Sequence, residues 1–233
     1  MSMATATLFS RGTIGGRTSL WNMVLLHPTR VKQIVNLALP YQVRTPVPWI
    51  TFIEAVFGAD NYFVHFNRKP GVSDAVLDQN VGQFLHNLFR KNIPMSDPEP
   101  GMMMIALAQS ETAFGDPVMS DGELSVFVDA VTSSGFTGGI NWYRNMDRNW
   151  HILENVDPVI AYPTLMIYGM QDMIPTSDTL TDFVPNAEVA QLECGHWIQQ
   201  EMPAETTRFM LEWLHRQDAV AEASGDTHIS LAS

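Results

Sequence analysis

The sequence predicts an α/β protein, a parallel sheet with flanking helices and an inserted helical lid, and three observations carry that prediction. Near its start the chain reads strand, tight glycine turn, helix, strand. Residues 162–217 return to strand-helix alternation. Between them, residues 42–156 hold scattered prolines and helix-like stretches without a convincing run of strands. A helical block set between two parts of one parallel sheet is the pattern of a core with a lid. The expected boundaries are 1–41 for the first part of the core, 42–156 for the lid and 157–217 for the second part. Residues 218–233, rich in Ala, Ser, Asp and Glu, read as a disordered tail.

The elements follow in order. Ala6-Thr7-Leu8-Phe9 is a short strand, and Gly12-Thr13-Ile14-Gly15-Gly16 supplies the small residues needed where a strand turns sharply into a helix. The same turn lacks both the glycine spacing and the Lys-Ser/Thr pair of a phosphate loop. Ser19 to His27 reads as a helix closed by Pro28, and Val31 to Leu39 as the next strand, which together make one parallel crossover unit. In the middle region Pro48–Phe57, Val72–Arg90 and Asp121–Ser133 are helix-like. Thr164 to Tyr168 and Val189 to Leu192 are the later strands. From Pro203 to His215 the chain places Phe209, Met210, Trp213 and Leu214 at helical spacing, as a sheet-covering helix should.

Each of the two later strands ends on chemistry. The first runs into Gly169 and delivers Asp172; the second leads to Cys194-Gly195-His196-Trp197. In an open parallel sheet, reactive groups gather at the carboxyl ends of strands. An aspartate that orients a histidine makes it a general base for water, the second and third members of a triad. Taken singly, Asp172 also suits a cap and His196 a satisfied polar group near the core; the combination is far more specific.

Composition narrows the partners. A chain of 233 residues, 45% hydrophobic and 16% charged, can bury a sizeable core. A net charge of -12 with no basic stripe argues against nucleic acid. The single cysteine, Cys194, excludes an internal disulfide and a cysteine-based zinc site and fits a reducing compartment. No apolar run is long enough to span a bilayer and the N-terminus lacks a signal-peptide pattern, so the expectation is a cytoplasmic protein without a membrane partner.

Three segments carry a family resemblance. They are Gly15-Gly16 leading to Trp21-Asn22-Met23 and His27-Pro28-Thr29-Arg30-Val31, the run Asn141-Trp142-Tyr143-Arg144-Asn145-Met146-Asp147-Arg148-Asn149-Trp150, and Cys194-Gly195-His196-Trp197. Together they resemble the soluble epoxide hydrolases of the α/β-hydrolase superfamily, from about Phe9 to Trp213. The resemblance implies a two-step reaction without cofactor or metal on a small apolar epoxide. An elbow aspartate attacks an epoxide carbon while two lid tyrosines hydrogen-bond the epoxide oxygen, and a His–Asp pair then activates water to hydrolyse the ester. Tyr143 matches the second lid tyrosine, Asp172 the relay acid and His196 the base. Tyr62 is the choice for the first tyrosine, with His65 the alternative, because the loop from Phe63 to Pro70 is one residue longer than the common pattern. A phenol suits the role: it stays a neutral donor at pH 7 and can yield a proton to an opening alkoxide. Trp142 and Trp150 read as wall and core residues rather than reactants.

The departures from the family pattern matter as much. Arg11-Gly12-Thr13-Ile14 stands where the family has an aspartate flanked by His and Trp, and a β-branched Thr13 fits poorly at a positive-φ apex. The strands and the His-Gly-x-Pro turn that precede the elbow in the family have no counterpart before residue 1. The expected fold is therefore a truncated α/β-hydrolase core with a lid, and the expected activity is absent or residual. Such a core would leave Ala6-Thr7-Leu8-Phe9 as an edge open to self-association and uncover Val35, Leu37 and the helix of Trp21. Two rival readings stand beside it. A haloalkane or haloacid dehalogenase would want halide-binding Trp or Asn donors, and a non-enzymatic remnant or binding protein of the same fold would explain the missing nucleophile directly.

Overall fold

The structure, a computed structural model, describes residues 6–9, 14–91 and 103–223. Four strands, β1 (Ala6–Phe9), β2 (Val31–Leu37), β3 (Thr164–Gly169) and β4 (Ala187–Leu192), form one parallel sheet in the order β1-β2-β3-β4. Phe9 stands opposite Val35, Val35 opposite Leu165, and Gly169 opposite Leu192. All six residues of β3 are buried, and so are all but Lys32 in β2, as expected of strands covered on both faces.

Side-chain alternation sends the two faces to different partners. Ile34, Met166 and Tyr168 meet Trp21 and Val24 of α1 (Ile14–Leu26), while Val35, Leu37, Leu165 and Ile167 meet Ile198 and Trp213 on the other side. Val35, Leu37 and Trp21, expected from the sequence to be uncovered, are buried in these two clusters. The helix that covers the second face (Pro203–Ala223) runs past the expected end at His215 and takes in residues 218–223 of the expected tail. It is tethered along its length. Glu188 of β4 accepts from Trp213 Nε1, Arg216 and Gln217, and Lys32 of β2 donates to Asp218 at 3.0 Å. The Ala-rich stretch 219–223 then continues a helix already docked, which its propensity favours.

Between β2 and β3 all the described regular elements are helical: α2 (Trp49–Phe57), α3 (Tyr62–Arg68), α4 (Val72–Gln79), α5 (Val81–Leu88), α6 (Met103–Gln109), α7 (Asp121–Ser134), α8 (Thr137–Arg144) and α9 (Met146–Ile152). The single helix expected over Val72–Arg90 is two, broken at Asn80 (φ -129), whose side chain bonds back to the Val76 carbonyl at 2.7 Å. Asparagine favours such local bonds over a helix interior. Tyr62, Phe66, Leu77, Phe84, Leu85, Leu107, Ile140 and Tyr143 form the lid's own core. The lid touches the sheet layer where α8 packs on α1. Of the elbow sequence, Arg11, Gly12 and Thr13 lie outside the described residues, so the expectation for Thr13 is not one the structure addresses. No described helix is long and apolar enough to cross a membrane.

Candidate active site

Two strand ends meet to build the site. Beyond β3, Met170 N–H donates to the Leu192 carbonyl at 2.8 Å and Gln171 N–H to that of Cys194 at 2.9 Å, which brings the two loops into contact. The approach demands glycine at 169: a Cβ there would stand 2.3 Å from the Gly195 oxygen and 2.7 Å from that of Cys194. Asp172 then turns back through its N–H to the Gly169 carbonyl, and its Oδ1 accepts from Ile174 N–H at 3.0 Å.

In that turn Asp172 faces His196. Nδ1 of the imidazole lies 3.0 Å from both carboxylate oxygens, and the two side chains are 2% and 11% exposed, Asp172 being the deeper. An ionised carboxylate only accepts, so the proton of a neutral imidazole resides on Nδ1 and Nε2 keeps a free lone pair. An imidazole held this way can accept a proton at Nε2. Cys194, two residues away, is buried, and burial first and the carboxylates of Glu201, Asp172 and Glu193 after it push its thiol up to about 12. A thiol so placed is inert as a nucleophile at neutral pH.

The tyrosines form a second pair, in the lid. Tyr62 of α3 and Tyr143 of α8 are both buried, with ring centroids 5.8 Å apart in a tilted edge-to-face contact, and Phe63 and Phe66 pack against both. Burial, and then the neighbouring Tyr143, raises the Tyr62 phenol well above 10, so it stays a protonated donor. Arg144 fixes the helices that carry them: it donates to both oxygens of Asp74 and, through Nε, to the Phe66 carbonyl at 3.0 Å, while Asn67 reaches the Tyr143 carbonyl at 3.2 Å. That guanidinium, first among several hydrogen bonds, holds the Asp74 carboxyl down at about 2. His65, the alternative to Tyr62, instead points its Nδ1 at Ser73 Oγ, 2.8 Å away.

Trp197 joins the two halves. Its Nε1 donates to the Leu88 carbonyl at the end of α5 at 3.1 Å, and its ring lies 4.6 Å from Phe89. A cavity of about 50 Å³ opens elsewhere along the core–lid seam, walled by Trp21, Tyr41, Trp49, Met146, Asn149 and Trp150; none of the four candidate residues lines it. Trp142, expected as a wall or core residue, is 50% exposed, because it sits on the outer side of α8 from Tyr143. Among the described residues no three His, Cys, Asp or Glu side chains are grouped to hold a metal.

The structure thus joins Asp172 to His196 and Tyr62 to Tyr143. It also shows three residues that the sequence reading missed. Asp74 and Arg144 are 70 positions apart and, although Arg144 lies inside the Asn141–Trp150 run, nothing in that run names Asp74 as its partner, whereas Glu201, five residues after His196, had a signal available in its closeness to the histidine.

A parallel sheet flanked by helices, a helical lid and a His–Asp pair at the carboxyl edge define an α/β-hydrolase fold. Known proteins agree. No protein-family model matches the chain. Epoxide hydrolase A of Mycobacterium tuberculosis is 32% identical over 212 residues, covering 85% of this chain and 66% of that protein. Bifunctional epoxide hydrolase 2 of Sus scrofa is 30% identical over 212 residues, 85% of this chain and 37% of its own length. Among solved structures, epoxide hydrolase A from Mycobacterium thermoresistibile superposes with a TM-score of 0.76 at 29% identity, covering 92% of this chain and 70% of that one. Potato epoxide hydrolase I, at 23% identity and a TM-score of 0.72, shares the fold. The chain belongs to the epoxide hydrolase family. It spans 66% of the length of the first of these curated relatives and 37% of the second.

Proposed function

We propose that this chain carries the water-activating and oxygen-binding half of an epoxide-hydrolysing site, acting on a small apolar epoxide to give a vicinal diol without a cofactor. His196 takes a proton from water at Nε2 as the water oxygen bonds to an epoxide carbon; the carbon–oxygen bond breaks, and a phenol from Tyr143 or Tyr62 supplies the proton to the opening alkoxide. Asp172 holds the imidazole in the right tautomer and stabilises the cation that forms. The observation that carries the reading is the two-oxygen contact of Asp172 with His196 Nδ1 at 3.0 Å. The relatives named as epoxide hydrolases support the substrate class.

In the family the elbow carboxylate forms an ester first, and Arg11-Gly12-Thr13-Ile14 provides none. The proposed reaction of this chain is therefore the slower direct attack of water, and its turnover is residual. A cytoplasmic setting accompanies the proposal, in keeping with a buried thiol at the single cysteine. The test is diol formation from a small aryl epoxide by the purified chain. Slow turnover that disappears in His196→Gln supports the reading, and turnover indifferent to that change, or none above the buffer rate, favours a binding protein of the same fold.

A further inference from the structure

We infer that Glu201 is the positioning residue for His196: its single carboxylate takes the backbone N–H groups on both sides of the histidine and so fixes the loop that presents the imidazole to Asp172. Gly195 N–H donates to Oε2 at 2.9 Å and Trp197 N–H to Oε1 at 3.1 Å. The inference rests on the proposed role of His196 as the base.

The local sequence explains the geometry. Trp197 opens a one-turn helix (Ile198–Glu201) whose last residue is Glu201. From there the side chain reaches back four and six residues rather than outward to solvent. Gly195 leaves room for it, since a Cβ at that position would stand 3.0 Å from Oε1. Hydrogen bonds to an ionised acceptor are shorter and roughly twice as strong as neutral ones, and two of them on alternate amides leave the intervening residue little freedom to rotate. His196 is that intervening residue.

The loop has three supports, and they differ in kind. The backbone bond from Gln171 to the Cys194 carbonyl ties it to the strand carrying Asp172, and Trp197 Nε1 ties it to the lid at Leu88. Both act at one end of the loop. Glu201 alone grips both flanks of His196. A bidentate contact with Asp172 at 3.0 Å tolerates little displacement, and errors of about 1 Å in catalytic placement are known to be expensive.

The experiment is nuclear magnetic resonance on the full chain, comparing the native protein with Glu201→Gln and Glu201→Asp. Glutamine keeps the volume but turns a donor toward one of the two amides; aspartate keeps the charge but falls one methylene short. The readouts are amide exchange at Gly195 and Trp197, and the downfield Nδ1 proton of His196 with its ring nitrogen shifts, which report its bond to Asp172. Glu201→Gln is expected to speed exchange at both amides by about tenfold or more, the scale of a charged hydrogen bond, and to broaden or lose the Nδ1 proton signal, while amides of β2 keep their protection. Glu201→Asp should retain part of each effect. Unchanged exchange and an unchanged His196 signal in Glu201→Gln would overturn the inference, and so would an equal loss of protection throughout the sheet, which would make Glu201 a residue that merely holds the fold. These readouts do not depend on turnover. If His196→Gln leaves diol formation unaffected while the Glu201 variants still disturb the loop, the proposed function fails and the positioning contact stands.

Discussion

His196 Nδ1 is equidistant, at 3.0 Å, from the two carboxylate oxygens of Asp172. With both oxygens engaged the pair resists rotation of either side chain, and Ile174 N–H holds Oδ1 from behind. Replacing Asp172 by Asn exchanges one acceptor for a donor aimed at the imidazole. The ring must then turn or shift its proton to Nε2, and the lone pair needed for water is lost. Asp172→Asn should cut the residual diol formation by about a hundredfold or more, the usual scale of general-base assistance. A kinetic comparison with the native chain checks it, alongside the ring nitrogen shifts of His196, which should show the tautomer reversed.

The native chain itself should turn over an epoxide far more slowly than relatives that carry an elbow carboxylate. Loss of the nucleophile in a triad-type unit costs on the order of a million-fold in turnover. Side-by-side rates with a relative such as epoxide hydrolase A of Mycobacterium tuberculosis measure the gap. A burst of ester-linked product on denatured native chain would contradict the expectation, because it requires a nucleophile that the sequence at 11–14 does not supply.

The site's legibility followed the length scale of its interactions. Asp172 and His196 were readable because each follows a strand-like run and then a glycine, Gly169 and Gly195, and a parallel sheet collects such strand ends at one edge. Among the strands β3 was the most readable: Thr164–Gly169 carries the apolar run Leu165-Met166-Ile167 and is buried throughout, as a doubly covered strand is. The start of β4 at Ala187 was less so, because Glu188 and Val189 are exposed on this edge strand. Asp74–Arg144 could not be read, since an ion pair across 70 residues leaves no local pattern. Glu201 was overlooked because its partners are backbone amides, which every sequence contains. Residues 218–223 looked like a tail because their helix depends on Lys32, a partner nearly two hundred residues away.

Ala38 adopts φ 65, the left-handed region, just after β2, and it is almost fully buried. Its N–H still bonds the Ile167 carbonyl at 2.9 Å, so the conformation belongs to the way β2 leaves the sheet beside β3. A residue with a Cβ is strained there, and glycine is not. Ala38→Gly should stabilise the chain by about 1 kcal/mol, or about 2–4 °C in midpoint for a chain of this size. Thermal unfolding followed by circular dichroism reads the shift, and a lower midpoint would mean that the lost methyl contacts outweigh the relieved strain.

Acid should loosen the lid in two stages, each set by one buried group. His65 is held below its ordinary value of 6.5, chiefly by burial and then by the charge of Lys69, with Asp60 opposing, and it faces Ser73. Below pH 6.5 the unfolded chain therefore binds a proton that the folded lid resists, so stability is full above 6.5 and declines as pH falls below it. Asp74 behaves as an acid whose folded value, about 2, lies under its ordinary 3.8. The stability it contributes is present above 3.8 and is lost as pH falls toward 2. Urea unfolding followed through tryptophan fluorescence at stepped pH should show both declines. His65→Asn should remove the first and leave the second. Asp74→Asn should remove the second and, by leaving Arg144 without its partner in a partly buried setting, lower stability by about 2–3 kcal/mol at neutral pH. A first decline that persists in His65→Asn would assign it to another histidine and leave His65 as a packing group held by Ser73.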